Sequence, residues 1–462
     1  MSVLVYSSSE LYERHDLLYE TCRLRLSKWL SGVHNLKHSD RFWDFLLHYY
    51  LSHQMVVRYY LGHWNNNALN SSPQFPEIFT KFPSANQQDL SRLFVTSLGG
   101  ECPFLDNFHD LASIGKSAAR SPSTAENINS ESASIDHAEE VIKKFQRRST
   151  SFFLDLGLYG ANHFLEAFDL ENWISLPAWN YRVTDDPNFQ LRSEISDWDV
   201  TDPICDYPGF WTSIALTLPL EFLENFLPLY SRLSRFADEI NPMAVASSQL
   251  WSISYRILAG LLAERNIPVL LNQHGGGYGK DHHLETTVEV RLSDKFYTWG
   301  WCRNDNQKII PFKPTRFDKF LKSINNYALA PKYNFIFGSH RKDLFDLLDN
   351  SNADYDSISA IGRYVDSLSS KERKLTFYKC RAQKGISKSK ELIVESKLKD
   401  IRSVKFNTPI EEIFSCANSV VIEYPNSTTE YESKITSTPY KVLNSDWKEK
   451  MNLSVFLPDY LI

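Results

Sequence analysis

At 462 residues the chain exceeds what one ordinary hydrophobic core organises, so two or three domains are expected. Hydrophobic residues make up 42% and charged residues 23%, a globular balance, and a net charge of −6 gives no electrostatic footprint for a dominant nucleic-acid role. The cysteines at 22, 102, 205, 302, 380 and 416 form no CxxC pair, which argues against zinc sites and a disulfide framework and for a reducing compartment.

In chain order, the opening MSVLVYSSSELYERHD has no basic or long apolar region of the signal-peptide kind. Residues 17–65 read as helices: LLYETCRLRLSKWL and DRFWDFLLHYYLSHQMVVRYYL carry apolar residues at three- and four-residue spacing, with Ser39-Asp40 as a cap. The second is apolar on most sides and is expected to be buried. A short strand is expected at Leu93–Thr96, and the Ser-, Ala- and Asn-rich stretch of about 113–149 reads as a surface loop. Phe152–Gly157 is a strand or a helix end. The apolar run Ile214 to Tyr230 is interrupted by Pro219, Glu221, Glu224 and Pro228, so no bilayer span is expected. The expected location is cytoplasmic, with peripheral association at the inner membrane face compatible.

A helix is expected over Ser247–Arg265, stopped by Asn266-Ile267-Pro268, and the apolar run Ile267–Leu271 then reads as a strand. Further strands are expected at Tyr333–Ser339, Leu375–Tyr378 and Ser419–Tyr424. Alternating helices and short apolar strands are the grammar of parallel α/β sheets. The polar cluster Asn304–Lys308 reads as a hinge, giving an N-terminal domain over 1–306, a C-terminal domain over 307–450 and a tail over 451–462. The Lys-rich run Lys384–Lys399 reads as a solvated helix face.

Chemistry is expected where strands end. In an open α/β sheet, ligands bind beyond the carboxyl ends of the strands, and there the sequence places Gln273, His274, Gly275, Gly276, Gly277 and Tyr278. Glycines let backbone amides close on a phosphate, and a histidine beside them can bond or protonate its oxygens. The plainer reading is a tight turn whose histidine bonds a carbonyl. The stretch matches neither GxGxxG nor GxxxxGK[ST]. A second turn, PNSTTEYES, brings Ser427 and Thr428 to a helix N-terminus, where they either bind phosphate or simply cap the helix. Asp238 and Glu239, with Glu166, are candidate acid, base or nucleophile for glycosyl transfer. Ser196-Asp197-Trp198-Asp199 contains a DxD, a triplet that arises easily by chance. His282-His283 with Glu285 and Glu289 lacks the HExxH spacing, and no metal is expected.

LSGVHNLKHSDRFWDFL (Leu30–Leu46), NQHGGGYG (Asn272–Gly279), LETTVEVRLSDKFYTWGW (Leu284–Trp301) and ANSVVIEYPNSTTEYES (Ala417–Ser433) together resemble a transferase family of bacterial O-antigen and capsule gene clusters. More distantly, the chain is similar to the CMP-Kdo-dependent glycosyltransferases, where Kdo is 3-deoxy-manno-octulosonic acid. The resemblance spans about Leu17 to Leu443. It implies a GT-B-like fold, with two Rossmann-like domains around a cleft, here with helical N-terminal additions. It also implies a nucleotide-sugar donor, a glycan or lipid-linked glycan acceptor, no cofactor and no metal. Under it, residues 273–278 with Ser427, Thr428, Arg381 and Glu432 are donor-binding, and His274 stabilises the departing phosphate. The insertion at 113–149 departs from that pattern. A CDP-alcohol (glycerol or ribitol phosphate) transferase and a non-catalytic carbohydrate-binding scaffold remain the alternatives.

Overall fold

The computed structural model describes residues 8–48, 50–51, 143, 153–156, 173–176, 187–201, 210–248, 250, 252–275, 278, 289–303, 306–312, 316–327, 329–338, 353–379, 398, 401–405, 407–423 and 427–443. Two parallel sheets organise them. The first contains β1 (Phe153–Asp155), β2 (Trp173–Ser175), β3 (Ala244–Ser247), β4 (Val269–Asn272), β5 (Lys295–Thr298) and β6 (Ile309–Pro311), in the order β2-β1-β3-β4-β5-β6. The second contains β7 (Tyr333–Phe337), β8 (Thr376–Lys379), β9 (Arg402–Ser403), β10 (Ala417–Ile422) and β11 (Tyr440–Val442), in the order β11-β10-β7-β8-β9. Every pairing is parallel, so each connection must cross back to the amino end. The described helices that matter below are α1 (Ser8–His34), α2 (Phe189–Ser196), α3 (Phe210–Thr217), α4 (Phe226–Glu239), α5 (Ile253–Glu264), α6 (Arg316–Tyr327), α7 (Ala353–Ser367), α8 (Ile410–Cys416) and α9 (Thr428–Ile435). This is the expected class: a mixed α/β chain with two sheet-bearing, Rossmann-like domains and helical additions.

Strand order points to where ligands bind. In the first sheet the winding reverses between β1 and β3, and in the second between β7 and β10. Crevices at such reversals, outside the carboxyl ends of the strands, are the usual ligand sites of open α/β sheets. Alternation along β7 explains how the second sheet is covered on both faces. Phe335 and Phe337 join Phe320 and Phe414 on one side, while Ile336 joins Ile361 and Val365 on the other.

Asn266 ends α5 as the sequence suggests. It adopts the left-handed conformation (φ 62°), and the Ile267 amide bonds back to the Leu262 carbonyl at 3.0 Å, closing the helix so that β4 can start at Val269. The helix begins later than expected, at Ile253, because Ala244–Ser247 forms the wholly buried strand β3. The hinge expected at 304–308 is also displaced. Its described residues, 306–308, form the turn between β5 and β6, so the chain leaves the first sheet only after Pro311. The strand expected at Leu93–Thr96, the 113–149 loop apart from Lys143, the Lys-rich run apart from Leu398, and the tail over 451–462 lie outside the described residues.

The N-terminal helices belong to the first domain's core. Cys22, Leu26 and Leu30 of α1 are buried with Phe42, Phe45 and Leu46 of the next helical stretch, against α4 and α5. Trp43 stacks on Phe226 at 6.0 Å, and His38 Nε2 lies 2.8 Å from Tyr230 Oη. Arg41 reaches Asp294 at 2.7 Å, and Asp294 also accepts the Val269 amide at 2.8 Å, tying these helices to the start of β4. The helices approach closely at Gly260, where an added Cβ would stand 2.8 Å from a ring carbon of Phe42. Gly260→Val should therefore overpack the seam and lower stability by about 2 kcal/mol or more, measurable as a lower urea midpoint with unchanged slope.

Candidate functional site

The site begins at the carboxyl end of β4. Gln273 follows that strand and is only 1% exposed. Its side-chain oxygen accepts the Trp299 backbone N–H and the Trp301 indole N–H, both at 2.8 Å. Its amide nitrogen donates to the Gly275 carbonyl at 2.6 Å, and its backbone carbonyl accepts the Trp299 indole N–H at 3.1 Å. Gln273 is thus occupied inside the protein. It corrects the expected donor-binding role: the residue braces the loop from behind and cannot reach a ligand with its side chain.

His274 is the next residue, and its side chain keeps 22% exposure. Tyr278 Oη lies 2.5 Å from His274 Nδ1 and 3.3 Å from Nε2. Tyr278 itself is buried and stacked on Phe296, with ring centroids 5.8 Å apart, so its side chain also supports the site from within. Behind the histidine, Glu289 is fully buried, with Oε1 3.9 Å from Nδ1.

The second turn comes from the other sheet. Beyond β10, Ser427 caps α9, its hydroxyl accepting the Glu430 amide at 3.2 Å. The capping reading is therefore correct for Ser427. The two turns meet at Thr428, since a Cβ on Gly275 would stand 3.9 Å from Thr428 Oγ1. Behind that contact, Trp299 packs edge-on against Tyr431 of α9 at 5.5 Å and Phe317 of α6 at 5.2 Å. The first turn of a helix carries amides that the helix itself cannot bond, and its dipole favours an anion there. Glu432 lies buried within α9, and Glu430 is tied to Lys434 at 3.2 Å.

Two of the expected carboxylates stand away from this site. Asp238 and Glu239 close α4, just before β3, and so lie at the amino end of the sheet, opposite His274. Asp238 is exposed and pairs with Arg265 at the end of α5. A helix that feeds a parallel strand ends at the wrong edge for ligand chemistry, which overturns both assignments. Asp199 of the DxD is spent on accepting the Trp211 and Thr212 amides of α3 at 2.9 and 2.7 Å. Glu166, Arg381, Gly276 and Gly277 lie outside the described residues.

Two acids that the sequence reading left without a role hold better places. One is Glu289. The other is Asp155, the last residue of β1 at the reversal of the first sheet, buried and accepting the Ser175 hydroxyl at 2.6 Å. Its signal was the apolar run ending in Asp at 152–155. Among the described residues, no three His, Cys, Asp or Glu side chains are grouped to hold a metal, and no helix is long and apolar enough to cross a membrane.

Residues 7–440 match a family described as LIC12162 family transferase, which includes both turns. No curated protein matches. Among solved structures the chain is similar to MurG of Acinetobacter baumannii, with 11% identity over 65% of this chain and 73% of that one and a TM-score of 0.27. At that score the likeness carries no weight, and the description of the fold rests on strand order.

Removing the brace should cost stability. In Gln273→Leu the Trp299 amide and Trp301 indole N–H would be buried without an acceptor, at roughly 1–3 kcal/mol each. Chemical unfolding should show a loss of that size, whereas a surface glutamine exchanged in the same way would show almost none.

Proposed function

The chain belongs to the LIC12162 family of transferases, and on that premise we propose that it moves a sugar from a nucleotide donor to a growing bacterial surface polysaccharide, O-antigen or capsule. The donor we favour is CMP-Kdo or a related CMP-linked ulosonic acid, the donor class that the resemblance carried by NQHGGGYG and PNSTTEYES implies. The acceptor is a glycan or lipid-linked glycan, met at the cytoplasmic face of the membrane.

One observation carries this reading: the His274–Gly275 turn of one sheet and the Ser427–Thr428 helix start of the other stand against each other. Together they offer what a departing nucleotide phosphate needs, namely backbone amides, a helix dipole and a partly exposed imidazole. Sugar transfer breaks the bond from the anomeric carbon to phosphate oxygen while an acceptor hydroxyl forms a new bond there and loses its proton. Charge therefore develops at two places, on the phosphate and on the attacking oxygen. We assign the first to His274 and the α9 N-terminus. With Asp238 and Glu239 removed from consideration, we assign the proton to Asp155, which ends β1 at the reversal point of the acceptor-side sheet.

A thermal-shift screen with CMP, CDP, UDP and their sugars tests the donor class, because a ligand that binds only the folded state raises its apparent stability. A rise in Tm with CMP compounds is expected; a flat response to every nucleotide would leave a scaffold. Phosphorus incorporated into the product would indicate the CDP-alcohol chemistry instead. His274→Ala should reduce turnover by roughly 10²-fold or more, as for loss of one charge-stabilising group, and wild-type rates would remove the assignment. Asp155→Asn should lose turnover by roughly 10²-fold while the CMP-induced Tm rise persists, since a base acts after the donor is bound. Activity retained in that variant would place the base elsewhere.

A further inference from the structure

The carboxyl edge of the first sheet carries a polar side chain to which the transfer chemistry gives no role. Asn272 is the last residue of β4, half-buried, two residues before His274. Register places it relative to Asp155. Asp155 pairs with Ala246 and Ala246 with Leu270, so all three face one side of the sheet, and Asn272, two residues beyond Leu270, returns to that side. The packing agrees: Tyr297, the partner of Asn272 on β5, clusters with Ala246 and Leu270, beside Phe153 and Trp173.

The orientation of the carboxamide is fixed from two sides. Its Nδ2 donates to the Gln273 carbonyl at 3.4 Å, and because a carbonyl only accepts, that contact sets which end is nitrogen. Its Oδ1 accepts the Ser248 hydroxyl at 2.8 Å, from a serine that is buried just past β3. The oxygen is thus engaged within the protein, while the nitrogen carries a second N–H with no protein partner among the described residues. Asn272 therefore offers a neutral donor at the strand end. Along the edge it has Asp155 on one side, with two interstrand spacings or roughly 10 Å between β1 and β4, and His274 on the other.

We propose that Asn272 holds the transferred sugar, its Nδ2–H donating to a hydroxyl or carboxylate oxygen of that sugar. This rests on the function proposed above, in which Asp155 takes the proton of the acceptor hydroxyl and His274 meets the departing phosphate. The anomeric carbon must then lie between those two groups, and Asn272 stands between them. Ser248 is the positioning residue, since its hydroxyl holds Oδ1 and so turns the N–H groups of Nδ2 away from β3. A carboxamide gives a sugar oxygen a directed partner without leaving an uncompensated charge in a filled cleft. CMP without its sugar lacks this contact.

Calorimetric titration of the full chain with CMP and with CMP-Kdo separates the sugar contact from phosphate binding. The wild type should bind CMP-Kdo more tightly than CMP. In Asn272→Ala that advantage should shrink by roughly tenfold, the size expected for one lost hydrogen bond, with the affinity for CMP unchanged. In Asn272→Asp, which keeps the side chain's shape and the bond from Ser248 but replaces the N–H donor by charge, the loss should be at least as large. Variants that keep the full advantage overturn the proposal. So does an equal loss of affinity for CMP and CMP-Kdo in variants folded by circular dichroism, because it would mark a structural role. Should Asn272→Ala fail to fold, Asn272→Asp decides by the same comparison. A wild type that binds both ligands equally removes the sugar contact and leaves the CMP reading standing, whereas one that binds neither removes that reading and this proposal with it.

Discussion

The side-chain amide of Gln273 holds two loops of one sheet in register with a helix of the other. Its oxygen accepts two N–H groups from the segment after β5, and its nitrogen donates to the Gly275 carbonyl. Buried polar networks of this kind rigidify when each member is satisfied and become costly when one is lost. Two consequences follow. Trp299 is fixed in position, and its ring is the surface on which Tyr431 and Phe317 of the second domain pack. The Gly275 carbonyl is drawn toward the protein interior, so the turn does not aim that acceptor at an anion.

Support for the same loop also arrives from the N-terminal helices. Arg291 sits between Glu20 and Asp44 and over the Tyr19 ring at 4.9 Å, anchoring the short turn that carries Glu289. The two acids respond differently to the shared cations. Burial pushes the Asp44 carboxyl above its ordinary value despite Arg291 and Arg23. Burial acts in the same direction on Glu20, but its hydrogen bonds from Arg291 and Arg23 prevail and hold it below the usual range. Arg291 is bound to the acid that stays charged most readily. The helical addition is therefore a structural base for the turn behind His274, continuous with the first domain's core.

Much of this fold was legible because parallel strands buried on both faces read as short apolar runs. Val269–Asn272, Tyr333–Phe337, Thr376–Lys379 and Ala417–Ile422 all fall within a few residues of their expected places. The strands that were missed are the shortest or the least uniform. Ala244–Ser247 was absorbed into the helix after it, and Ile309–Pro311 was taken for the far side of a hinge. At the site, the pairing of QHGGGYG with TWGW was visible as sequence, but its cause was not. A glutamine beside glycines suggests a ligand contact, and only the tertiary structure shows its amide turned toward two tryptophans. Tyr278 and Glu289 show the same limit, since neither spacing nor composition says that residues eleven apart flank one imidazole.

The misplaced carboxylates follow from a geometric fact about parallel sheets. Asp238 and Glu239 lie close in sequence to β3 and His274 lies close to β4, yet the first pair precedes a strand and the histidine follows one. A four-residue strand rises about 3.3 Å per residue, so that difference is worth roughly 13 Å, beyond any side chain's reach. Sequence distance is therefore the wrong measure for a candidate acid in such a fold, and the end of the strand is the right one. By that measure Asp155 and Ser175 close β1 and β2, Gln273 and His274 follow β4, Trp299 follows β5, and Ser427 and Thr428 follow β10. All are carboxyl-end residues. The Gly275–Thr428 approach and the Trp299–Tyr431 contact show that the two sheets meet through those ends.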